Sequence, residues 1–149
     1  METTFKIATV SDLSTLVEFM REYYEYDHLA FDESIAHKVL EEILQDNSLG
    51  NVWLIHQGDE AVGYVALTLD YSLEFHGHNA FIDELYIREK YRGCGIGTST
   101  LQFMEKVCRD LGIKALHLEV EYQNTKAKSF YDKSGFEAHE RYFMTKWIY

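Results

Sequence analysis

The chain of 149 residues is predicted to fold as one α+β (α/β) domain, 1–149, with elements in the order β-α-α-β-β-β-α-β-α-β. Three observations carry this. The hydrophobic period switches repeatedly between two and about 3.6 residues along the chain. Three strand-like runs in the middle follow one another with short polar connections, the pattern of an antiparallel meander. A glycine-rich turn then leads into a helical period and a further strand, which is expected to lie parallel to the strand before the helix. With 46% hydrophobic and 15% aromatic residues spread over the whole length, the chain can bury one core but not two.

Each element has its own signal. Phe5 and Ile7 with their alternating neighbours read as a short strand. Ser11 is a good helix N-cap, and Leu13, Leu16, Val17 and Met20 recur at helical spacing, so a first helix runs to about Tyr26. Asp32 caps a second helix with Ile35, Val39, Leu40, Ile43 and Leu44 on one side, ended by Asp46-Asn47-Ser48. The runs Val52 to Ile55 and Ala61 to Leu67 are strands joined by Gln57-Gly58-Asp59-Glu60, a hairpin signal. A polar loop containing Glu74 to Asn79 precedes a third run, Ala80 to Ile87. Leu101, Met104, Cys108 and Leu111 mark one face of a helix that stops at Gly112. Ala115 to Val120 is a strand, Asn124 to Ser134 a short helix, and the aromatic run Tyr142 to Tyr149 a last strand.

Composition narrows the function classes. The formal charge of −11 repels phosphate backbones and anionic lipid and favours a cationic partner. No run approaches the roughly 18 apolar residues of a membrane span, and METTFKIATV lacks the charged-then-apolar pattern of a signal peptide. A soluble, cytoplasmic protein is expected. Cys94 and Cys108 form no CxxC or Cys/His ligand spacing and read as free thiols. His76 and His78 are too few for a metal site, so none is expected.

The stretch Tyr91-Arg92-Gly93-Cys94-Gly95-Ile96-Gly97-Thr98 needs an account of its three alternate glycines. A nucleotide P-loop requires GxxxxGK[ST], and no Gly-Lys pair follows Gly93. The dinucleotide pattern GxGxxG fits Gly93 and Gly95 but fails at Thr98, and a meander before the loop disagrees with a doubly wound sheet. A tight turn with no ligand is the plain alternative. The positive reading is a helix N-terminus whose free N–H groups and dipole attract a pyrophosphate, with bare backbone letting it approach and Arg92 adding charge.

At this point the chain resembles a family. Arg92-Gly93-Cys94-Gly95-Ile96-Gly97 is similar to the [R/Q]-x-x-G-x-[G/A] coenzyme A signature of the GNAT superfamily of acetyl-CoA-dependent N-acetyltransferases. Asn124-Thr125-Lys126-Ala127-Lys128-Ser129-Phe130-Tyr131-Asp132-Lys133-Ser134-Gly135-Phe136 resembles its N-x-x-A-x-x-F-Y-x-x-x-G-F segment, and Leu85-Tyr86-Ile87 its fourth strand. The resemblance covers nearly the whole chain and implies a mixed central sheet of about six to seven strands flanked by four helices. One departure is Glu89, where many members have proline; it touches a turn.

The resemblance implies roles. Acetyl-CoA is the expected co-substrate, held by Leu85, Tyr86 and Ile87, by Arg92 to Thr98 including Cys94 and Ile96, and by Asn124, Lys128 and Tyr131. Acetyl transfer to an amine needs an acceptor nitrogen stripped of its proton, because a free alkylammonium has a pKa of about 10.4. Asp83 and Glu84 are the catalytic carboxylate candidates; neighbours on a strand face opposite sides, so one of the two is expected in the cleft. A surface pair is the alternative. In the family a backbone N–H of strand four polarises the thioester, here within Leu85 to Ile87, and Tyr131 occupies the position of the acid that protonates the thiolate. Tyr23, Tyr24, Tyr26 and His28 lie where the family lines its acceptor side, though the tyrosines serve core packing equally well. Cys94 is not expected to act as a nucleophile.

The expected function is therefore an N-acetyltransferase that moves acetyl from acetyl-CoA directly to a primary amine: a small amine, a polyamine, an aminoglycoside-like acceptor, or a peptide or protein amine. A non-catalytic acyl-CoA-binding sensor on the same fold is the alternative. The aromatic terminal run serves either the core or the interface of a homodimer.

Overall fold

A computed structural model describes Met1–Tyr149. The chain divides into two compact units, Met1–Glu119 and Val120–Tyr149. The first holds a five-stranded sheet in sequence order: β1 (Thr3–Ile7), β2 (Gly50–Gln57), β3 (Glu60–Ser72), β4 (Gly77–Ile87) and β5 (Ala115–His117). The first four are antiparallel and β5 is parallel to β4. The β2–β3 hairpin closes on Gly58-Asp59, with Gln57 opposite Glu60 and Gly58 at φ 61°. Glycine at the first of two loop positions is what a twist-matched hairpin turn requires.

One sheet face is covered by α1 (Leu13–Tyr26) and α2 (Glu33–Gln45). There Leu16, Phe19 and Met20 of α1 and Ala36 and Leu40 of α2 bury against Val52, Leu54, Tyr64, Ala66 and Tyr86. Residues of opposite parity, Trp53, Ile55, Val65 and Leu67, are buried too, because α3 (Ile96–Leu111) lies on the other face with its Ile96, Leu101, Met104 and Cys108 inward. Phe103 of α3 stacks on Phe5 at 4.4 Å and meets Trp53 edge-on at 5.6 Å. Both faces of β2 and β3 being covered explains why these strands read as continuous apolar runs rather than strict alternation.

Several expectations need correction. Ser11 is not the N-cap of α1: Val10–Asp12 form a 3₁₀ turn, in which the Thr9 N–H donates to Asp12 at 3.0 Å. Asp32 does cap α2, accepting from the Ile35 N–H at 3.1 Å. Ile35 and Val39 are exposed, however, and Ala36 and Leu40 take the buried positions, with Ile43 and Leu44 partly buried against the same core. Leu111 is exposed, one residue before the left-handed Gly112 that ends α3.

The second unit contains α4 (Thr125–Lys133), and no strand follows it. The sheet therefore has fewer strands than the six to seven expected, and β5 stops at His117 rather than Val120. The run Tyr142 to Tyr149 has the strand period but no hydrogen-bonded neighbour, and β geometry is stable only with one. Its Tyr142, Phe143, Met144, Trp147, Ile148 and Tyr149 are each at least 77% exposed.

Candidate active site

The central feature is an irregularity in β4. Ala66 faces Glu84, but the next residue of β3, Leu67, faces Ile82, so Asp83 is the extra residue of a β-bulge. A bulge bends the strand and re-aims side chains. It interrupts the alternation that would send Asp83 and Glu84 to opposite faces, so the two carboxylates act on each other.

Glu84 turns toward α1. Its Oε1 accepts from the Tyr64 hydroxyl at 2.6 Å and its Oε2 from the Tyr24 hydroxyl. Burial raises the Glu84 carboxyl above the ordinary range, the two phenol hydrogen bonds oppose that, and the neighbouring Asp83 charge adds to it. Burial and Glu84 in turn push both phenols upward, so both remain protonated donors. Asp83 is exposed on the bulge, accepts no side-chain hydrogen bond, and its carboxyl is raised by partial desolvation. One carboxylate is thus tied down on both oxygens and the other is free to meet a ligand.

Aromatic rings surround this pair. Tyr23 stacks on Tyr86 at 5.6 Å and meets Tyr24 edge-on at 5.5 Å, and Tyr24 meets Phe31 at 5.8 Å. Of the residues expected on the acceptor side, Tyr23 is part of the core packing, while Tyr26 and His28 lie exposed at the end of α1. His28 has φ 56°, a left-handed step that ends the helix and turns the chain. Glu22 holds Arg88 through two bonds of 3.0 and 2.8 Å and accepts from Tyr86 at 3.0 Å. Arg88 lowers the Glu22 carboxyl, and burial with help from Glu22 pushes Tyr86 to about 12.

The glycine turn follows at once. Gly93 and Gly95 have φ of 76° and 84°, values an L side chain resists. A Cβ built at either would meet nothing within 4 Å, so the backbone there opens outward. The first bond within α3 is Ser99 N–H to the Gly95 carbonyl, which leaves the N–H groups of Ile96, Gly97 and Thr98 without helix partners, and Gly95 has no side chain to cap them. A diphosphate would fit there by charge and hydrogen-bonding capacity. Cys94 is exposed and its thiol lies 3.6 Å from the Arg92 carbonyl.

Between the bulge and this turn, the outer edge of β4 loses its partner. β5 pairs with Asn79, Ala80 and Phe81 only, so the backbone from Ile82 to Ile87, including Leu85 and Tyr86, has β3 on one side and no strand of the sheet on the other. No group of three or more His, Cys, Asp or Glu side chains is arranged to hold a metal ion.

Within the second unit, Asn124 caps α4 by accepting from the Ala127 N–H at 3.2 Å. Lys128 is paired with Asp132 at 2.6 and 2.8 Å. Tyr131 packs on Phe130 at 5.2 Å and Phe136 at 5.8 Å, and burial raises its phenol. The Gly135 of this segment has φ 100°.

Two contributors escape a reading of the sequence. Tyr64 is spaced like any apolar strand residue, yet supplies a hydrogen bond to Glu84. Gly63 sits where a Cβ would come within 1.9 Å of the Tyr86 carbonyl oxygen; only a bare residue lets β3 approach β4 this closely beside the site.

Comparison with known proteins gives the family. The profile of the Acetyltransferase (GNAT) family matches residues 13–136. The thialysine N-epsilon-acetyltransferase of Bos taurus is 28% identical over 141 residues, covering 86% of this chain and 80% of its own. The spermidine N(1)-acetyltransferase of Thermoplasma acidophilum is 26% identical over 147 residues, covering 89% and 86%. Among solved structures, an integron cassette protein from the mobile metagenome of Cole Harbour Salt Marsh superposes with TM-score 0.86 at 32% identity, over 97% of this chain and 90% of that one. The fold is also that of a possible acetyltransferase from Clostridium difficile, with TM-score 0.85 at 22% identity over the whole of both chains. The glycine turn, the carboxylate-bearing bulge and a family match over most of the length lead to one conclusion: the chain belongs to the acetyltransferase (GNAT) family and is an acyltransferase.

Proposed function

We propose that the chain moves the acetyl group of acetyl-CoA directly to a primary amine on a small cationic acceptor. The observation that carries this is the bulge: it presents the free carboxylate Asp83 beside an unpaired strand edge that runs into the open glycine turn. The negative balance of the chain and its similarity to enzymes named for thialysine and spermidine support an acceptor carrying more than one positive group. Peptide and protein amines stand second.

In this reading acetyl-CoA supplies the thioester, and the first turn of α3 with Gly93, Gly95 and Gly97 receives its diphosphate. Asp83 takes the proton from the acceptor ammonium, directly or through one water, its raised carboxyl pKa narrowing the gap to the amine. Glu84, when ionised, adds negative charge beside Asp83 that attracts the ammonium. A backbone N–H between Leu85 and Ile87 stabilises the oxygen as it gains charge. Tyr131 returns a proton to the departing thiolate, supported by its motif position and its protonated phenol; Asn124 and Lys128 are assigned to the coenzyme by the same motif. Both units act as one acetyltransferase domain, supported by a family match that crosses their boundary.

The test is purified protein with acetyl-CoA and a panel of mono-, di- and polyamines, following free thiol. Thiol release that saturates with amine supports the proposal. Acetyl-CoA binding by calorimetry without turnover on any amine favours the sensor instead, and neither binding nor turnover ends both.

A homodimer with a cytoplasmic location belongs to the same proposal. The exposed run Arg141 to Tyr149 carries two basic and no acidic residues on a chain of net −11, so a second copy is its fitting partner by charge as well as by apolar surface. Light scattering is expected to give twice the chain mass, and half that for Trp147→Asp; a monomeric parent chain refutes the dimer. No helix is long and apolar enough to cross a membrane.

A further inference from the structure

Arg92 opens the glycine motif, where its charge suggests a phosphate ligand. Its side chain is engaged elsewhere. The Nε–H donates to the carbonyl of Ile87 at 2.7 Å, the last residue of β4. Its guanidinium carbon lies 4.5 Å from the ring centroid of Tyr26, the last residue of α1, and 5.7 Å from that of Tyr86. Tyr86 is bonded through its hydroxyl to Glu22 of α1, which also grips Arg88. A single planar group therefore touches the end of the strand carrying the carboxylates, the end of the helix carrying the acceptor-side aromatics, and the start of the coenzyme turn.

We infer that Arg92 is a positioning residue: its guanidinium fixes the end of β4 and ties it to the end of α1, so that the coenzyme turn and the acceptor side are held in one register. The inference rests on the acetyltransferase reading but differs from it in what Arg92 does, since a phosphate ligand would have no call on Tyr26. A guanidinium suits the role because its flat face stacks on a ring while Nε–H points in the plane toward the carbonyl. An ammonium can sit over a ring, as Lys90 does over Tyr91, but has no flat group that stacks on a ring and donates in its plane at once, so Arg92→Lys is not a conservative change here.

The closing experiment separates the two roles with a truncated donor. S-acetylpantetheine carries the thioester and the pantetheine arm but no phosphate. Arg92→Ala and Arg92→Lys are expected to lower kcat/KM about tenfold with acetyl-CoA, and by the same factor with S-acetylpantetheine, because misplacing the strand end costs the transfer step whichever donor is bound. A penalty confined to acetyl-CoA means that Arg92 is a phosphate ligand and overturns the inference. Tyr26→Phe keeps the ring and is expected to preserve the Arg92→Ala penalty, while Tyr26→Ala is expected to shrink it about threefold and raise the KM for the amine; strictly additive effects overturn the coupling. A third readout needs no turnover. The amides of Asp27, His28 and Leu29, bonded back to the last turn of α1, are expected to exchange hydrogen severalfold faster in Arg92→Ala, with the sheet amides unchanged. Unchanged exchange at the end of α1 refutes the tie even if no acceptor amine is found, whereas failure of the amine panel alone bears only on the acetyltransferase reading.

Discussion

The two halves of β4 differ in pairing and in regularity. From Asn79 to Phe81 the strand is paired on both sides, by β3 and by β5, and its Asn79 and Ala80 are fully buried. From Ile82 to Ile87 it keeps only β3 and is interrupted by the bulge at Asp83. The first half is ordinary sheet, with backbone groups satisfied and side chains in the core. The second has an open edge, an exposed carboxylate and a nearby helix terminus with free donors, the features on which the proposed transfer rests. The loss of a neighbour is what leaves this half of the strand open, and the intact half holds it in place.

Substitutions that break this contrast rank by expected effect. Asp83→Asn removes the only free carboxylate of the open half and is expected to lower kcat by about 10²–10³ with the fold intact, measured by thiol release and circular dichroism; a loss below threefold would exclude Asp83 as the base. Tyr24→Phe leaves one Glu84 oxygen without its phenol and is expected to cost about 1–3 kcal/mol of stability in urea unfolding, with Tyr64→Phe similar in kind. Gly95→Ala forces a side chain into φ 84° and is expected to cost about 1–2 kcal/mol while weakening acetyl-CoA binding in calorimetry. A change at Gly93 should behave likewise.

The smallest effect is a slope. Burial raises the Glu84 carboxyl, so the folded state holds that proton more tightly than the unfolded one. The corresponding stability is present below the unfolded pKa and is lost as pH rises through the higher folded pKa. Glu84→Gln is expected to flatten that decline in unfolding titrations across this window. An unchanged slope would mean that the two phenols compensate the burial.

Much of this was legible beforehand. The glycine spacing, the Asp32, Asn124 and Gly112 helix boundaries and the Gly58 hairpin each rest on local backbone chemistry that a few residues specify. The aromatics expected on the acceptor side were only partly legible: Tyr23, Tyr24 and Tyr26 are close in sequence, yet two pack against the core, one of them bonding Glu84, and the third lies under Arg92. Helix phase and a partner 60 residues away decide among them. The run Tyr142 to Tyr149 carries a strand signal without forming a strand, because alternation states which residues would share a face and not whether another strand lies alongside.

The sequence by itself determined the order of the elements, the positive-φ turn at the start of α3 and the pair of acids on the strand before it, because period, capping and glycine freedom act within a few residues. Only the tertiary structure decided which acid is free. That depends on a bulge created by the register of β3 against β4 and on two phenols brought to Glu84 from α1 and β3, contacts between segments 20 and 60 residues apart. It also placed Arg92: a charge beside a glycine turn reads as a phosphate ligand, and the fold sets it against the rings of Tyr26 and Tyr86.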